Sequence, residues 1–169
     1  WRSFSFNFGE KTNFLSSVNF KYYYVRSINF YKSIKNKILN CSNVSLKQNE
    51  TIIKIKKSKH YFKIVTNKNI YIAKNILYTR PNLSIYEKNP FMFQCFVGYE
   101  VKSKEKINLK KNNAYLMHNM HIANNNFYFE YILPIDDSTY LFELTSFSKR
   151  ELSLNIIEKE LRIVLSKYF

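Results

Sequence analysis

The chain has 169 residues, enough for a substantial core, and a formal net charge of +15 at pH 7. Its two glycines, Gly9 and Gly98, exclude an internal G-x-G-x-x-G phosphate turn. Cys41 and Cys95 exclude a C-x-x-C motif and read as buried thiols of a cytosolic protein, and no apolar run approaches the roughly 18–20 residues of a membrane-spanning helix.

Apart from residues 54–59 and 102–111, the lysines are spread singly. Lys, Asn, Ile, Tyr and Phe crowd the chain, and these are the residues of adenine- and thymine-rich codons. Such a bias accounts for the charge better than a dedicated anionic partner, nucleic acid or membrane, does.

In chain order, residues 1–8 alternate around a phenylalanine face and predict a strand, as does the aromatic run 20–25. Ser27 precedes Phe30, Ile34 and Ile38 at helical spacing, which predicts a Ser-capped helix ending near Asn40. Short β-branched runs at 43–46, 51–57, 61–66 and 70–73 predict a small meander, followed by 75–78 entering a core. Arg80-Pro81-Asn82 breaks the chain and opens a crossover over 81–89. Strands at 91–101, 114–121, 127–134 and 139–147 predict a second, mainly antiparallel sheet. Ser148-Lys-Arg-Glu151 has the form of a capping box, and Leu154, Ile157, Leu161, Val164 and Tyr168 form the apolar stripe of a final helix. The class is mixed α and β.

Residues 127–148 are the most informative. Two apolar strands flank Asp136-Asp137, residues suited to a hairpin, and the second strand carries Glu143 among Phe142, Leu144 and Phe147. A carboxyl in such a setting either pairs with a lysine or is held neutral by burial, as a proton donor must be. Tyr128, Tyr131, Phe142 and Phe147 stand nearest in sequence as aromatic partners for a carbocation. Alternation sets Glu130 on the opposite side from Phe129 and Tyr131, the position of a solvated residue or a second acid. His118 and His121 have H-x-x-H spacing, but on a strand residues three apart face opposite sides, so no metal site is expected.

Four blocks in order resemble the lycopene cyclases. Trp1-Arg-Ser-Phe-Ser-Phe with Tyr22-Tyr-Tyr-Val-Arg-Ser-Ile-Asn-Phe-Tyr31 is similar to the family's "W…YxxIRSxDFY". Gln94-Cys-Phe-Val-Gly-Tyr-Glu100 resembles "QxFxGxxV", and Leu116-Met117 the start of "MDF". Tyr131, Leu133 and Pro134, then Glu143 and Thr145, resemble its Y-x-L-P strand and its acid followed by Thr. The chain departs from the pattern at His118, where the family has a carboxylate after Met. It departs again at Tyr78-Thr79-Arg80-Pro81, where only Arg remains of D-x-R-G.

The resemblance implies a piece of a flavoprotein. It implies a substrate domain from 1–25 and 90–169 and a partial FAD/NAD(P)-binding-type domain over 26–80, with the Gly-rich turn before Trp1 and further chain after Phe169. It implies proton-initiated β-cyclisation of lycopene or a related linear carotene, with reduced FAD in a non-redox role that this piece alone does not bind. Glu143 would be the catalytic acid. Tyr131, Phe142, Thr145, Phe147 and Met117 would line the substrate pocket, and Arg80 would be a cofactor-side residue or a plain loop arginine. The lipid-dissolved substrate implies a cytoplasmic, peripherally membrane-associated enzyme. The rival readings are a related FAD-dependent isoprenoid oxidoreductase and a basic nucleic-acid-binding module with Tyr22–Tyr24 on an exposed sheet face.

Overall fold

A computed structural model describes residues 1–80, 91–105 and 107–169. The elements in order are β1 (Ser3–Phe8), β2 (Lys11–Ser16), α1 (Ser27–Leu39), β3 (Ile52–Lys57), β4 (Phe62–Thr66), β5 (Ile70–Ala73), β6 (Phe93–Lys102), β7 (Asn113–Ala123), β8 (Asn126–Pro134), β9 (Thr139–Ser148) and α2 (Leu154–Leu165). The class is mixed α and β, and the chain forms two compact units, Trp1–Tyr23 with Tyr86–Phe169, and Tyr24–Ile85. The crossover expected over 81–89 lies outside the described residues.

The first unit is a six-stranded sheet in the order β2-β1-β7-β8-β9-β6. All neighbours are antiparallel except β1 and β7. The apolar runs of β8 and β9 pair from Phe127↔Phe147 to Pro134↔Tyr140. Their turn is closed by the Ile135 N–H on the Thr139 carbonyl (2.8 Å) and by Asp136 Oδ1, which accepts from the Ser138 and Thr139 N–H groups (2.8 and 2.7 Å). Those bonds hold the Asp136 carboxyl below its ordinary pKa, the Ser138 backbone bond contributing most.

Side chains alternate across the sheet, so the register assigns two faces. Tyr128, Ile132, Tyr140, Phe142 and Leu144 share one face with Cys95, Val97, Tyr99 and Val101 of β6. Helix α2 closes that face with Ile157, Leu161 and Val164, which are buried in one cluster. Each such side chain contributes about 1.5–3 kcal/mol on burial. The other face carries Phe129, Tyr131, Leu133, Leu141, Glu143, Thr145 and Phe147.

Several local expectations are corrected. The polar residues of β1 turn inward: Ser5 is fully buried and accepts from Asn113 Nδ2 (2.8 Å), whereas Phe8 is exposed. Strand β2 is exposed throughout, and its polar-rich sequence gives no apolar period. Residues 20–25 have no regular structure, so Tyr22–Tyr24 form no aromatic sheet face. The cap of α2 is Ser153, not Ser148. Neither helix has a side-chain cap bond, and Ser148 Oγ donates to the Arg150 carbonyl (2.5 Å).

The second unit holds α1 and the antiparallel sheet β3-β4-β5. Its helix begins after Arg26 rather than on a Ser27 cap. Residues 43–46 and 75–78 form no strand, and Leu77 is 91% exposed instead of entering a core. Glu50 ties this unit together, accepting from Thr66 Oγ1 (2.6 Å), Asn69 Nδ2 (3.0 Å) and the Tyr71 hydroxyl (2.9 Å). Both thiols are free. Cys41 is exposed rather than buried, and Cys95 is half-buried against the α2 core.

Candidate active site

Glu143 occupies the middle of β9 with Tyr131 of β8 directly opposite on one side and Gly98 of β6 directly opposite on the other. The glycine matters because a Cβ there would meet the Phe142 carbonyl oxygen at 3.3 Å and Glu143 Cβ at 3.4 Å. Its absence leaves the β6 position directly opposite Glu143 without a side chain, while Tyr131 stands opposite on β8.

The Glu143 side chain is half-buried, and burial raises its pKa above the ordinary carboxyl value. Thr145, fully buried two residues along the same face, opposes this with a 3.0 Å hydrogen bond from Oγ1 to Glu143 Oε1. Burial is the larger effect, so the site shifts the carboxyl toward its protonated form relative to a free glutamate.

The expected pocket residues separate into three groups. Tyr131, Thr145 and Phe147 share Glu143's face, and Phe147 stacks on Phe127 with centroids 6.5 Å apart. Phe142 does not: it points beneath α2, is 1% exposed and packs against Tyr168 and Phe169. Adjacent residues of a strand face opposite ways, so Phe142 supports Glu143 from behind rather than lining its pocket. Met117 sits where the β7–β8 register shifts between Tyr115 and His118, with φ 50. Arg80 is exposed in the second unit.

Two side chains that build out from Tyr131, the cross-strand neighbour of Glu143, are not singled out by local pattern. Tyr22 lies 6.3 Å, centroid to centroid, from Tyr131, and Trp1 lies 6.2 Å from Tyr22. Burial, then the nearby Glu143 charge, raises the Tyr22 pKa. Gly98 carried a usable signal, since a glycine inside a strand marks close approach.

Glu130 corrects the solvated-face reading. It is 1% exposed and accepts from Asn119 Nδ2 and the Tyr168 hydroxyl, both at 2.9 Å. His118 and His121 are also rearranged. Left-handed φ at Met117 (50°) and Asn119 (48°) accompanies two register shifts, so His118 pairs with Glu130 and His121 with Tyr128, on one face. The bulges therefore cancel the alternation that predicts opposite sides. His118 is desolvated, which lowers its pKa, while His121 stacks on Tyr128. Among the described residues no three His, Cys, Asp or Glu side chains come together as a metal site, and no helix is long and apolar enough to cross a membrane.

No curated protein and no solved structure matches the chain. The family model described as lycopene cyclase protein matches residues 1–168, taking in Glu143, Thr145, Tyr131 and the Trp1–Tyr22 segment. The chain belongs to the lycopene cyclase family, enzymes of carotenoid cyclisation.

Proposed function

We propose that the protein cyclises the ends of a linear carotene of the lycopene type to β-rings, with Glu143 as the proton-handling residue. The observation that carries this is a carboxyl whose pKa burial raises, midway along an apolar strand and bonded by Thr145 two residues on, in a chain that the lycopene cyclase family model matches over residues 1–168.

The chemistry asks for one group that gives a proton and takes one back. The protonated Glu143 carboxyl adds its proton to the terminal carbon–carbon double bond, leaving a tertiary cation. The next double bond closes on that cation to form a six-membered ring. The carboxylate, now beside a cation, accepts a proton from a ring carbon and is restored. The substrate is isomerised with no net oxidation. Tyr131 presents an aromatic ring beside the acid, and cation–π attraction of roughly 0.5–2 kcal/mol per ring favours the charged intermediate. Gly98 puts no side chain directly beside the acid on the β6 side.

Reduced FAD is the cofactor implied by the family, but the described residues do not fit its diphosphate. Gly9 sits at the β1–β2 turn with φ 57, and Gly98 is mid-strand against Glu143. Neither forms a cradle of N–H groups at a helix N-terminus. No step is therefore routed through flavin, and Arg80 receives no role in it.

A carotene is dissolved in lipid, so the enzyme is placed at a membrane surface from the cytoplasmic side. Exposed Phe8, Val18 and Phe20, with Lys11 and Lys21 nearby in sequence, support that placement.

The test is expression in lycopene-accumulating cells, then in deuterated medium. Cyclic carotene isomeric with the substrate, carrying solvent deuterium in each ring, is the expected product. An oxidised or desaturated product would favour an isoprenoid oxidoreductase instead.

A further inference from the structure

We propose that Tyr22 is a positioning residue for the proton transfer: held in place by Trp1, its ring closes over Tyr131 and Glu143 and keeps water from the carboxyl. The inference rests on Glu143 being the acid, but it concerns a residue far from it in sequence and outside any regular element.

The geometry is a chain of fixed contacts. Tyr22 and Trp1 bond each other reciprocally through their backbones, Trp1 N to the Tyr22 carbonyl at 2.7 Å and Tyr22 N to the Trp1 carbonyl at 2.8 Å. The Trp1 indole Nε1 donates to the Pro134 carbonyl at 3.1 Å and the Lys111 carbonyl at 3.2 Å, pinning the pair to the end of β8. From that anchor the rings run Trp1, Tyr22, Tyr131 at 6.2 and 6.3 Å, and Tyr131 stands opposite Glu143. An otherwise irregular segment is thus clamped at the residue whose ring meets Tyr131, the cross-strand neighbour of the acid. Tyr22 is 36% exposed, so it forms the solvent boundary of the site rather than its core.

A lid of this kind does two things. It preserves the dry surroundings on which a protonated carboxyl depends. It also decides the fate of the cation: ring closure retains all atoms of the substrate, whereas an entering water would add its oxygen to the cation, lose a proton and give a tertiary alcohol. Among the described residues, the ionisable groups on this face are Tyr22 from the N-terminal segment, Tyr131 from β8 and, two residues along β6 from Gly98, Glu100. Of these, Tyr22 alone lies outside the sheet.

The test is infrared titration of the Glu143 carboxyl in the purified chain, its band identified by loss in Glu143→Gln. Tyr22→Phe keeps the ring and should titrate as the wild type does. Tyr22→Leu should shift the midpoint down toward the ordinary carboxyl range. If Tyr22→Leu fails to fold, Trp1→Leu, which removes the ring behind Tyr22, should shift it the same way. An unshifted midpoint in the folded Leu variant, or a Phe variant that shifts as Leu does, overturns the proposal. In lycopene-accumulating cells, Tyr22→Leu should divert product from ring to alcohol. Because the titration needs no carotene, a lid confirmed by it alongside a wild type that makes no ring would refute the cyclase reading alone.

Discussion

Thr145 Oγ1 donates to Glu143 Oε1 from two residues along the same strand face, at 3.0 Å. The bond favours the ionised carboxyl while burial favours the neutral one, so the pair sets how tightly the site holds its proton. Thr145→Val removes the opposing bond and raises the Glu143 pKa further. On the proposed mechanism the acid form is the active one, so activity should be lost as pH rises through that pKa. The alkaline limb of the kcat profile should therefore move to higher pH in Thr145→Val and stay in place in Thr145→Ser. A coincident limb in all three would separate Thr145 from the proton cycle.

The same shift acts on stability. A carboxyl with a raised folded pKa binds its proton more tightly in the native state, so its contribution is fully present below the unfolded value of about 4.3 and is lost as pH rises through the folded value. Glu143→Gln cannot ionise and should melt higher than wild type above that window, with the two curves converging in acid. Thermal unfolding across a pH series measures this.

Gly98 predicts a separation of fold from activity. A Cβ at 98 meets Phe142 O and Glu143 Cβ within ordinary or slightly tight contact, while the larger Val presses on the Glu143 stem. Gly98→Val should cost about 1–3 kcal/mol by overpacking. It should lower kcat more than that loss explains at temperatures where the variant is fully folded. Circular dichroism with a cyclisation assay checks both.

On the opposite face, Tyr168 donates to Glu130 over 38 positions of sequence. Burial first, then Glu130, raises the phenol's pKa, so it remains a hydrogen donor. Tyr168→Phe leaves a buried carboxyl oxygen without that donor and should cost about 1–3 kcal/mol. Hydrogen exchange should rise at the end of α2 while the chemistry at Glu143 is untouched.

The hairpin of β8 and β9 is legible in sequence because both strands are long apolar runs around an Asp turn, and local physics decides each. Glu143 is legible as an acid in an apolar strand. The burial of Glu130 is not: its partners are Tyr168, which follows α2, and Asn119, whose left-handed φ breaks the period of two that pattern reading assumes. Phe142 is misplaced for a simpler reason, since nearness in sequence to Glu143 puts it on the opposite face. Tyr22 escapes because a clamp between residues 21 positions apart leaves no local signature.

In the proposed cycle Glu143 both gives and retakes the proton. The direct measurement is carotene composition in lycopene-accumulating cells expressing wild type or Glu143→Gln at matched protein level. Gln keeps the size and the bond from Thr145 but carries no transferable proton. The wild type should yield cyclic carotene and the variant should leave lycopene unchanged, a loss at least as large as the roughly 10²–10⁴-fold that a positioned acid supplies. Comparable cyclic product from the two proteins would contradict the assignment.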